Sequence, residues 1–369
     1  MCGALPLRGA PGGSAGTRFV SSLAERRRPR PAFNDERIEM AHGAGGKASR
    51  RLVEGLIAPA FANPVLDTLS DAATFALGGA RLATSADGYV VHPLRFPGGS
   101  IGELAINGTV NDLAVSGARA HALMATFILE AGLASETLRA EVAAMGAAAE
   151  RAGVAIVGGD TKVVEHGLCD GMYITTFGIG ERDPRFALDP QSVRPGDRVL
   201  LSGPIGSHGI TILLARGELD LESDVQSDTR SVWPFVDALG DACGAGIRWM
   251  RDPTRGGVAT ALNELVRESS VAIVLDESAV PLGRHVRGAC ELLGLDPLHI
   301  ANEGQFLAVV AAADAPRALA ALHALPGGEG AADIGEVRAE PARTVLGATP
   351  YGGTRAIDML VGDPLPRIC

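Results

Sequence analysis

Five aspartates stand beside glycines or at the ends of apolar runs rather than in the charge-rich stretches of a solvated helix face. They are Asp71 in Leu69-Ser70-Asp71-Ala72-Ala73, Asp87 in Thr84-Ser85-Ala86-Asp87-Gly88, Asp112 in Asn111-Asp112-Leu113-Ala114, Asp160 in Gly158-Gly159-Asp160-Thr161-Lys162, and Asp252 in Arg251-Asp252-Pro253-Thr254-Arg255-Gly256-Gly257. Magnesium takes oxygen ligands, usually one or two carboxylates alongside substrate phosphates, so dispersed aspartates suit a nucleotide–metal site. Asp87 and Asp160 come just after predicted strands, where ligands collect in α/β folds. Any single one of these residues has an ordinary alternative as a turn or N-cap aspartate. The set of five is what points to a site.

Glycine clusters supply the other half of a phosphate site. Gly43-Ala44-Gly45-Gly46-Lys47 precedes a helical stretch at 49–56, where unpaired N–H groups at a helix start attract an anion. The alternative is a flexible turn. It is not a Walker A loop, because Ala48 stands where that motif needs Ser or Thr. Gly158-Gly159-Asp160-Thr161-Lys162 offers a turn, a carboxylate and an ammonium in close succession, and Lys162 is suited to neutralising a phosphate or a developing oxyanion. Asn302-Glu303-Gly304 follows an apolar run, which makes Glu303 either a base or a turn residue. His42 and His208 sit beside glycines, facing a ligand or filling a core. No HExxH pattern is present and no Ser-His-Asp ordering is evident, so zinc and serine-hydrolase chemistry gain no support.

The remaining chemistry-bearing residue type is cysteine. Cys2, Cys169, Cys243, Cys290 and Cys369 are odd in number and too far apart for CxxC pairing, which fits a reducing, cytoplasmic setting. Cys369 is the last residue, and Pro366-Arg367-Ile368-Cys369 lacks the three following residues of a prenylation signal. The net charge of −10 argues against nucleic-acid binding, which rests on Lys and Arg neutralising phosphates. No stretch approaches the roughly 20 apolar residues of a membrane span.

The elements that must hold these residues alternate between strand and helix. Residues 81–91, 122–129, 154–157 and 173–179 read as strands bounded by Gly, Pro or Asp. Between them, 135–152 places Leu138, Val142, Met145 and Ala149 on one helical stripe, and 103–117 reads as a second helix. A Pro/Gly connection over 183–197 marks a domain boundary. Strands at 198–202, 247–250, 271–275 and 306–311 then alternate with helices at 257–268 and 285–293, giving two α/β units. Residues 1–33, with six arginines against one glutamate, read as a disordered basic extension outside the fold.

Several segments occur in a telling order: Ala41-His42-Gly43-Ala44-Gly45-Gly46, Phe96-Pro97-Gly98-Gly99, Asn111-Asp112-Leu113-Ala114, Gly159-Asp160-Thr161-Lys162-Val163-Val164, Ser207-His208-Gly209, Arg251-Asp252-Pro253-Thr254-Arg255-Gly256-Gly257 and Ala301-Asn302-Glu303-Gly304. With the ending Pro366-Arg367-Ile368-Cys369, the chain from about residue 37 to 369 resembles the HypE family of hydrogenase maturation factors. The basic extension departs from the family pattern. The resemblance implies the two-domain PurM-like α/β (α+β) fold of the aminoimidazole ribonucleotide synthetase and selenophosphate synthetase superfamily. An N-terminal ATP-binding and dimerisation domain would span 34–182, a C-terminal domain 183–355 and a mobile tail 356–369. The N-terminal-domain sheets would pair in a homodimer, with ATP in a cleft between domains.

The resemblance also implies a reaction. The carbamoyltransferase HypF loads a carbamoyl group on the Cys369 thiol, ATP drives dehydration of that thiocarboxamide to a thiocyanate, and the cyano group passes to iron held by a HypC–HypD complex for the [NiFe]-hydrogenase site. By resemblance, Asp71, Asp87, Asp112 and Asp252 hold Mg2+. Gly43, Gly45, Gly46, Lys47, Asp87, Asn111, Gly159, Asp160, Thr161 and Asn302 line the nucleotide, and Lys162 steadies its phosphates. Glu303 leads as the base that deprotonates the amide nitrogen, with Asp112 next. Pro364 and Pro366 favour an extended tail that lets Cys369 act as a tethered carrier. Two other readings compete. A selenophosphate-synthetase-like phosphotransferase would carry a cysteine in the glycine-rich segment 42–47, and none is there. A non-catalytic scaffold presenting Cys369 would leave the aspartate and glycine clusters without a role.

Overall fold

The computed structural model describes residues 32–369 apart from 62, 218–222, 363, 364 and 366. The expected basic extension lies, up to residue 31, outside the described residues, as do Pro364 and Pro366.

The chain enters through a short helix α1 (Lys47–Leu52), a π-helical turn and α2 (Ala58–Ala60). It then builds a five-stranded sheet from β1 (Ala73–Leu77), β2 (Ala80–Tyr89), β5 (Ala118–Glu130), β6 (Ala155–Val164) and β7 (Met172–Arg182), in the order β1-β2-β7-β5-β6. A two-residue hairpin, β3 (Arg95–Phe96) with β4 (Gly99–Ser100), leads into α3 (Ile101–Val115). This helix lies on one face of the sheet: Thr176 of β7 donates to the Ala105 carbonyl at 2.9 Å, and Leu104, Val110 and Leu113 are buried with Leu123 and Ile174. The other face carries exposed Met124 and Phe177, which are register partners on β5 and β7.

Helix α4 (Ser135–Ala152) has the bounds its periodicity predicts, but its buried stripe is shifted. Met145, Ala148 and Ala149 face inward while Val142 is 48% exposed. Fully buried Glu141 takes the inner position instead. Its carboxylate accepts the Gly102 N–H at the start of α3 (3.0 Å) and pairs with Arg95 at 2.6 Å. A carboxylate at a helix N-terminus is stabilised by the unpaired N–H groups there, which outweighs the apolar stripe. A second departure concerns the strand expected to stop at 157. β6 continues through Val164 along the sheet edge, so Gly158–Lys162 is strand and not turn. Gly159 is needed for close approach, because a Cβ there would lie 1.7 Å from the Ala125 carbonyl oxygen.

The second half forms a seven-stranded sheet in the order β14-β13-β10-β12-β8-β11-β9. Its strands are β8 (Arg198–Leu201), β9 (Ile247–Arg251), β10 (Ala272–Asp276), β11 (Leu307–Val310), β12 (Ala332–Arg338), β13 (Thr344–Ala348) and β14 (Thr354–Ile357). The central strands are buried on both sides. Val199, Leu201, Leu307 and Val309 pack with Val258, Leu262 and Leu265 of α7 (Gly257–Ser269). Leu200, Ala308 and Val310 pack with Phe235 and Leu239 of α6 (Trp233–Cys243) and Leu322 of α9 (Ala315–His323). Alternation along each strand sends neighbours to opposite faces, so these strands read as continuous apolar runs. Helices α5 (Ser207–Ala215) and α8 (Arg284–Leu293) lie against the first body.

The two halves are knitted by an irregular strap, residues 223–232. Asn111 of α3 donates to the carbonyls of Arg230 (2.9 Å) and Glu303 (3.1 Å) and accepts from Val232 N–H (2.8 Å). Arg230 donates to the carbonyls of Gly304 and Gly327, both at 2.9 Å. The final segment is held in the fold: Ala356 and Ile357 belong to β14, and Leu365 and Ile368 are buried.

Candidate active site at the seam of the two domains

Side-chain oxygens of Asp71, Asp112 and Asp252 lie within 4.8 Å of one another. Three elements deliver them. Asp71 precedes β1, Asp112 sits in the last turn of α3 and Asp252 follows β9 of the other domain. Asp87, on β2, is outside this triple; its Oδ2 accepts from the Tyr89 hydroxyl at 3.2 Å and Thr109 at 3.4 Å. Asp112 accepts a 2.5 Å hydrogen bond from Ser85, and Arg251 pairs with Asp71 and Glu264 at 3.0 Å each.

Crowding of like charge dominates the electrostatics. Two carboxylates about 5 Å apart repel by roughly 3 kcal/mol at an effective dielectric of about 20. Burial pushes Asp112 well above the ordinary carboxylate range, reinforced by Asp87, Asp252 and Asp71. Burial and Asp71 do the same to Asp252. Burial raises Asp71 to about 6, with Arg251 opposing. A cluster of hard anionic oxygens in which one guanidinium ion-pairs with a single member is a donor set that fits a divalent cation such as Mg2+.

Glu303 stands at the end of the same seam. It is buried, and its Oε1 has no hydrogen-bond partner among the described residues. Burial raises it well above the usual carboxylate range, with Asp252, Asp228 and Asp87 adding to the rise and Arg255 opposing it. Its backbone is fixed by Asp228, whose carboxylate accepts the N–H groups of Glu303 (3.1 Å) and Gly304 (3.3 Å). An unpartnered carboxylate of raised basicity beside an acidic cluster can take a proton from a bound substrate.

Other expected site residues fall elsewhere. Asn302 is fully buried; it accepts from Gly206 N–H (2.7 Å) and donates to the carbonyls of Pro253 and Ile300, both at 2.9 Å. Asn111, as described, joins the domains. Both side chains shape the walls rather than offer free donors. In the glycine-rich segment the helix-start N–H groups are already taken: Lys47 and Ala48 donate to the carbonyls of Leu360 (2.8 Å) and Val361 (3.1 Å). A Cβ on Gly46 would lie 2.4 Å from the Leu360 oxygen, so the close approach of the tail needs glycine there. The Lys47 ammonium pairs with Asp358 at 2.6 Å, Arg255 bonds the Gly43 carbonyl, and Gly45 N–H donates to Ser49 at 2.8 Å. Asp160, Thr161 and Lys162 lie on exposed β6, with Lys162 paired to Asp160 at 2.6 Å. The register Asp87–Thr176–Ala125–Gly159 runs straight across the sheet, which puts β6 three strand spacings, about 14 Å, from Asp87.

The chain end comes to the seam. Val90, next after β2, donates its N–H to the Cys369 carbonyl at 3.0 Å. Three residues of extended chain, about 10 Å, separate Val90 from Asp87. Arg367 pairs with Asp170 at 2.5 Å and bonds the Val90 carbonyl at 3.2 Å.

The two halves match known protein families. Residues 69–181 match the N-terminal domain of AIR synthase related proteins, and residues 194–347 match their C-terminal domain. The carbamoyl dehydratase HypE of Azotobacter vinelandii is 50% identical over 332 residues, which are 90% of this chain and 97% of that protein. The chain belongs to the HypE family of carbamoyl dehydratases. The Escherichia coli HypE is 45% identical over 90% of this chain and 99% of its own length. Among solved structures, a HypE–HypF complex aligns with a TM-score of 0.80 at 41% identity, covering 84% of this chain and 99% of that one. A HypE in complex with ATP aligns with a TM-score of 0.75 at 46% identity, covering 90% and 100%.

Within this HypE-family site, several residues escape a reading of the sequence. Ser85 and Tyr89 lie at alternate positions of β2 on either side of Asp87, so period-2 spacing puts them on its face, where they meet Asp112 and Thr109. The strap residues Ser227, Asp228 and Arg230 carry no periodic signal. No described helix is long and apolar enough to cross a membrane.

Two measurements probe this electrostatic picture. In metal-free buffer, Asp252→Asn melts higher than wild type because one repulsive carboxylate is gone. Magnesium at about 100 times its Kd stabilises wild type by about 2.7 kcal/mol, and the variant loses most of that response. An unchanged magnesium response contradicts a cation site. For Glu303, the folded-state pKa lies above the unfolded value of about 4.3, so ionisation costs stability as pH rises from the unfolded pKa through the folded one. Glu303→Gln is therefore stabilised by about 1–2 kcal/mol at pH 8, and the gap closes near pH 4. Parallel denaturant curves at the two pH values check this, and a gap independent of pH contradicts it.

Proposed function

We propose that this chain dehydrates a thiocarboxamide on its own C-terminal Cys369 to a thiocyanate, using ATP. The cyano group then serves as the cyanide ligand of a [NiFe]-hydrogenase iron. The observation that carries this reading is the chain end itself: the Cys369 carbonyl accepts from the N–H of Val90, the residue that follows the strand bearing Asp87.

An amide oxygen is a very poor leaving group. Attack by the carboxamide oxygen on the γ-phosphorus of ATP, with one proton lost from nitrogen, releases ADP and makes that oxygen part of a phosphate ester. Loss of the second N–H proton as the C–O bond breaks then expels phosphate and leaves the S–C≡N group. Both protons leave the nitrogen; Glu303 would accept the first, release it to solvent, and accept the second as phosphate departs. Asp112, bound into the carboxylate triple, is better suited to holding a cation than to acting as the base. Asp71, Asp112 and Asp252 would hold Mg2+, which supplies positive charge to the phosphates when bound. Fixed charges of this kind are the usual source of catalysis in phosphoryl transfer. Tethering the substrate to Cys369 makes its encounter with the site unimolecular.

We also propose three partners. HypF is the source of the carbamoyl group, an assignment supported by the solved complex of a family member with HypF. A HypC–HypD complex carrying iron is the acceptor, which rests on family membership. The third partner is a second copy of this chain, meeting the first sheet's open face. Met124 and Phe177 are exposed there, and the edge strand β6 exposes Ile156, Val157 and Val163. A ten-residue edge strand that exposes apolar side chains is a liability unless something covers it. Asp160 and Lys162 lie far from their own acidic cluster, so they would serve a nucleotide best across that interface.

Intact mass decides the chemistry. With HypF and carbamoyl phosphate, the chain gains one carbamoyl group. Addition of magnesium and ATP then removes one water, and neither change occurs in Cys369→Ala. ATP consumption without an adduct on Cys369 contradicts the reading and points to a diffusible substrate. Light scattering decides the assembly: wild type is expected at the mass of two chains and Met124→Asp at one. A monomeric wild type contradicts the dimer.

A further inference from the structure

The motif Ser207-His208-Gly209 plays no part in the chemistry above, yet its histidine is fully buried in the first turn of α5. His208 Nε2 lies 2.6 Å from the carbonyl oxygen of Ile368, and Nδ1 lies 2.8 Å from Ser227 Oγ. A carbonyl can only accept, so Nε2 carries the proton and donates it to Ile368, while Nδ1 accepts from the serine hydroxyl. Burial holds the imidazole below its ordinary pKa, which keeps it neutral. Phe96 packs edge-on against the ring with centroids 5.6 Å apart. On one side, then, the ring is held by a serine and an aromatic, and on the other it grips the peptide next to the terminal thiol.

The strap connects this grip to the acidic site. Ser227, which orients the imidazole, is followed by Asp228, which fixes the backbone of Glu303 and Gly304. Ser227 is itself anchored, its N–H donating to the Pro97 carbonyl at 2.9 Å. The position of the tail and the position of Glu303 are thus set by adjacent residues of one segment. The neighbouring tail contacts support the same seat. Ile368 is 1% exposed, and Leu365 packs so closely on α5 that a Cβ on Gly209 would lie 3.2 Å from its Cδ1.

We propose that His208, oriented by Ser227, is a positioning residue for the dehydration step: its Nε2–H docks the Ile368 peptide so that the group carried on Cys369 faces Glu303. The proposal rests on the reading of Cys369 as the carrier. It assigns His208 to the docked tail alone. Carbamoyl loading by a partner needs the thiol outside, so it does not depend on this hydrogen bond.

The test uses full-length protein loaded with a carbamoyl group on Cys369 and follows a single turnover with magnesium and ATP. His208→Leu is expected to form thiocyanate about 10- to 100-fold more slowly, the scale of a misplaced reacting group. Carbamoyl loading and the ATP concentration for half-maximal rate stay unchanged. His208→Gln, which keeps a side-chain N–H donor, restores the rate to within a few-fold of wild type, and Ser227→Ala falls between the two. Unloaded His208→Leu also alkylates faster at Cys369 with iodoacetamide, because the tail leaves its seat more often. Should His208→Leu fold poorly, the Gln and Ser227→Ala variants carry the same comparison. A wild-type rate in His208→Leu overturns the proposal, as does an equal loss in His208→Leu and His208→Gln. If wild type itself forms no thiocyanate, the carrier reading fails and takes this proposal with it. A wild type that turns over beside variants of unchanged rate and alkylation removes the His208 role alone.

Discussion

The concentration of negative charge at the seam between the two domains is the constraint on which the rest of the structure depends. Asp71 and Asp112 come from one domain and Asp252 from the other, so their approach within 4.8 Å happens only when the domains are docked. Repulsion among them opposes that docking. The opposing attractions are visible close by. Asn111 ties α3 to the strap, Arg251 draws Asp71 and Glu264 together, and Arg230 binds the strap to the Gly304 and Gly327 carbonyls. A site that is costly to assemble without a cation is one whose organisation responds to the cation and the phosphates it accompanies.

The chain end uses the same seam from a different direction. Leu360 and Val361 occupy the helix-start N–H groups of α1, Asp358 pairs with Lys47, and Ile368 is buried beside α5. The entry segment and the exit segment of the described chain therefore hold each other across the second domain. A short run of residues then brings Cys369 to the end of β2. A carrier thiol on such a tail can be presented to its own site without any ligand having to diffuse there.

Much of the scaffold was legible in the sequence because it is periodic. Helix α4 and the strands β2, β5, β8 and β11 follow from apolar spacing and their flanking Gly, Pro and Asp. Where a buried polar group replaced an apolar one, the reading slipped: Glu141 displaces Val142 because it satisfies the N-terminus of α3. Glycine misled at Gly159, which permits two strands to close up rather than turn. The aspartates of the triple stood out by residue type and context, but their convergence depends on the docking of two domains, which no local spacing encodes. The strap at 223–232 was invisible for the same reason, since its residues are chosen for partners far away in sequence.

The central claim is that the carboxamide oxygen leaves as phosphate from Cys369. Its most direct test is the fate of that oxygen. Cys369 carbamoylated with oxygen-18-labelled cyanate, then treated with magnesium and ATP, should transfer the label to inorganic phosphate as the nitrile forms. Label recovered in water, with none in phosphate, contradicts phosphoryl activation and with it the role given to the acidic seam.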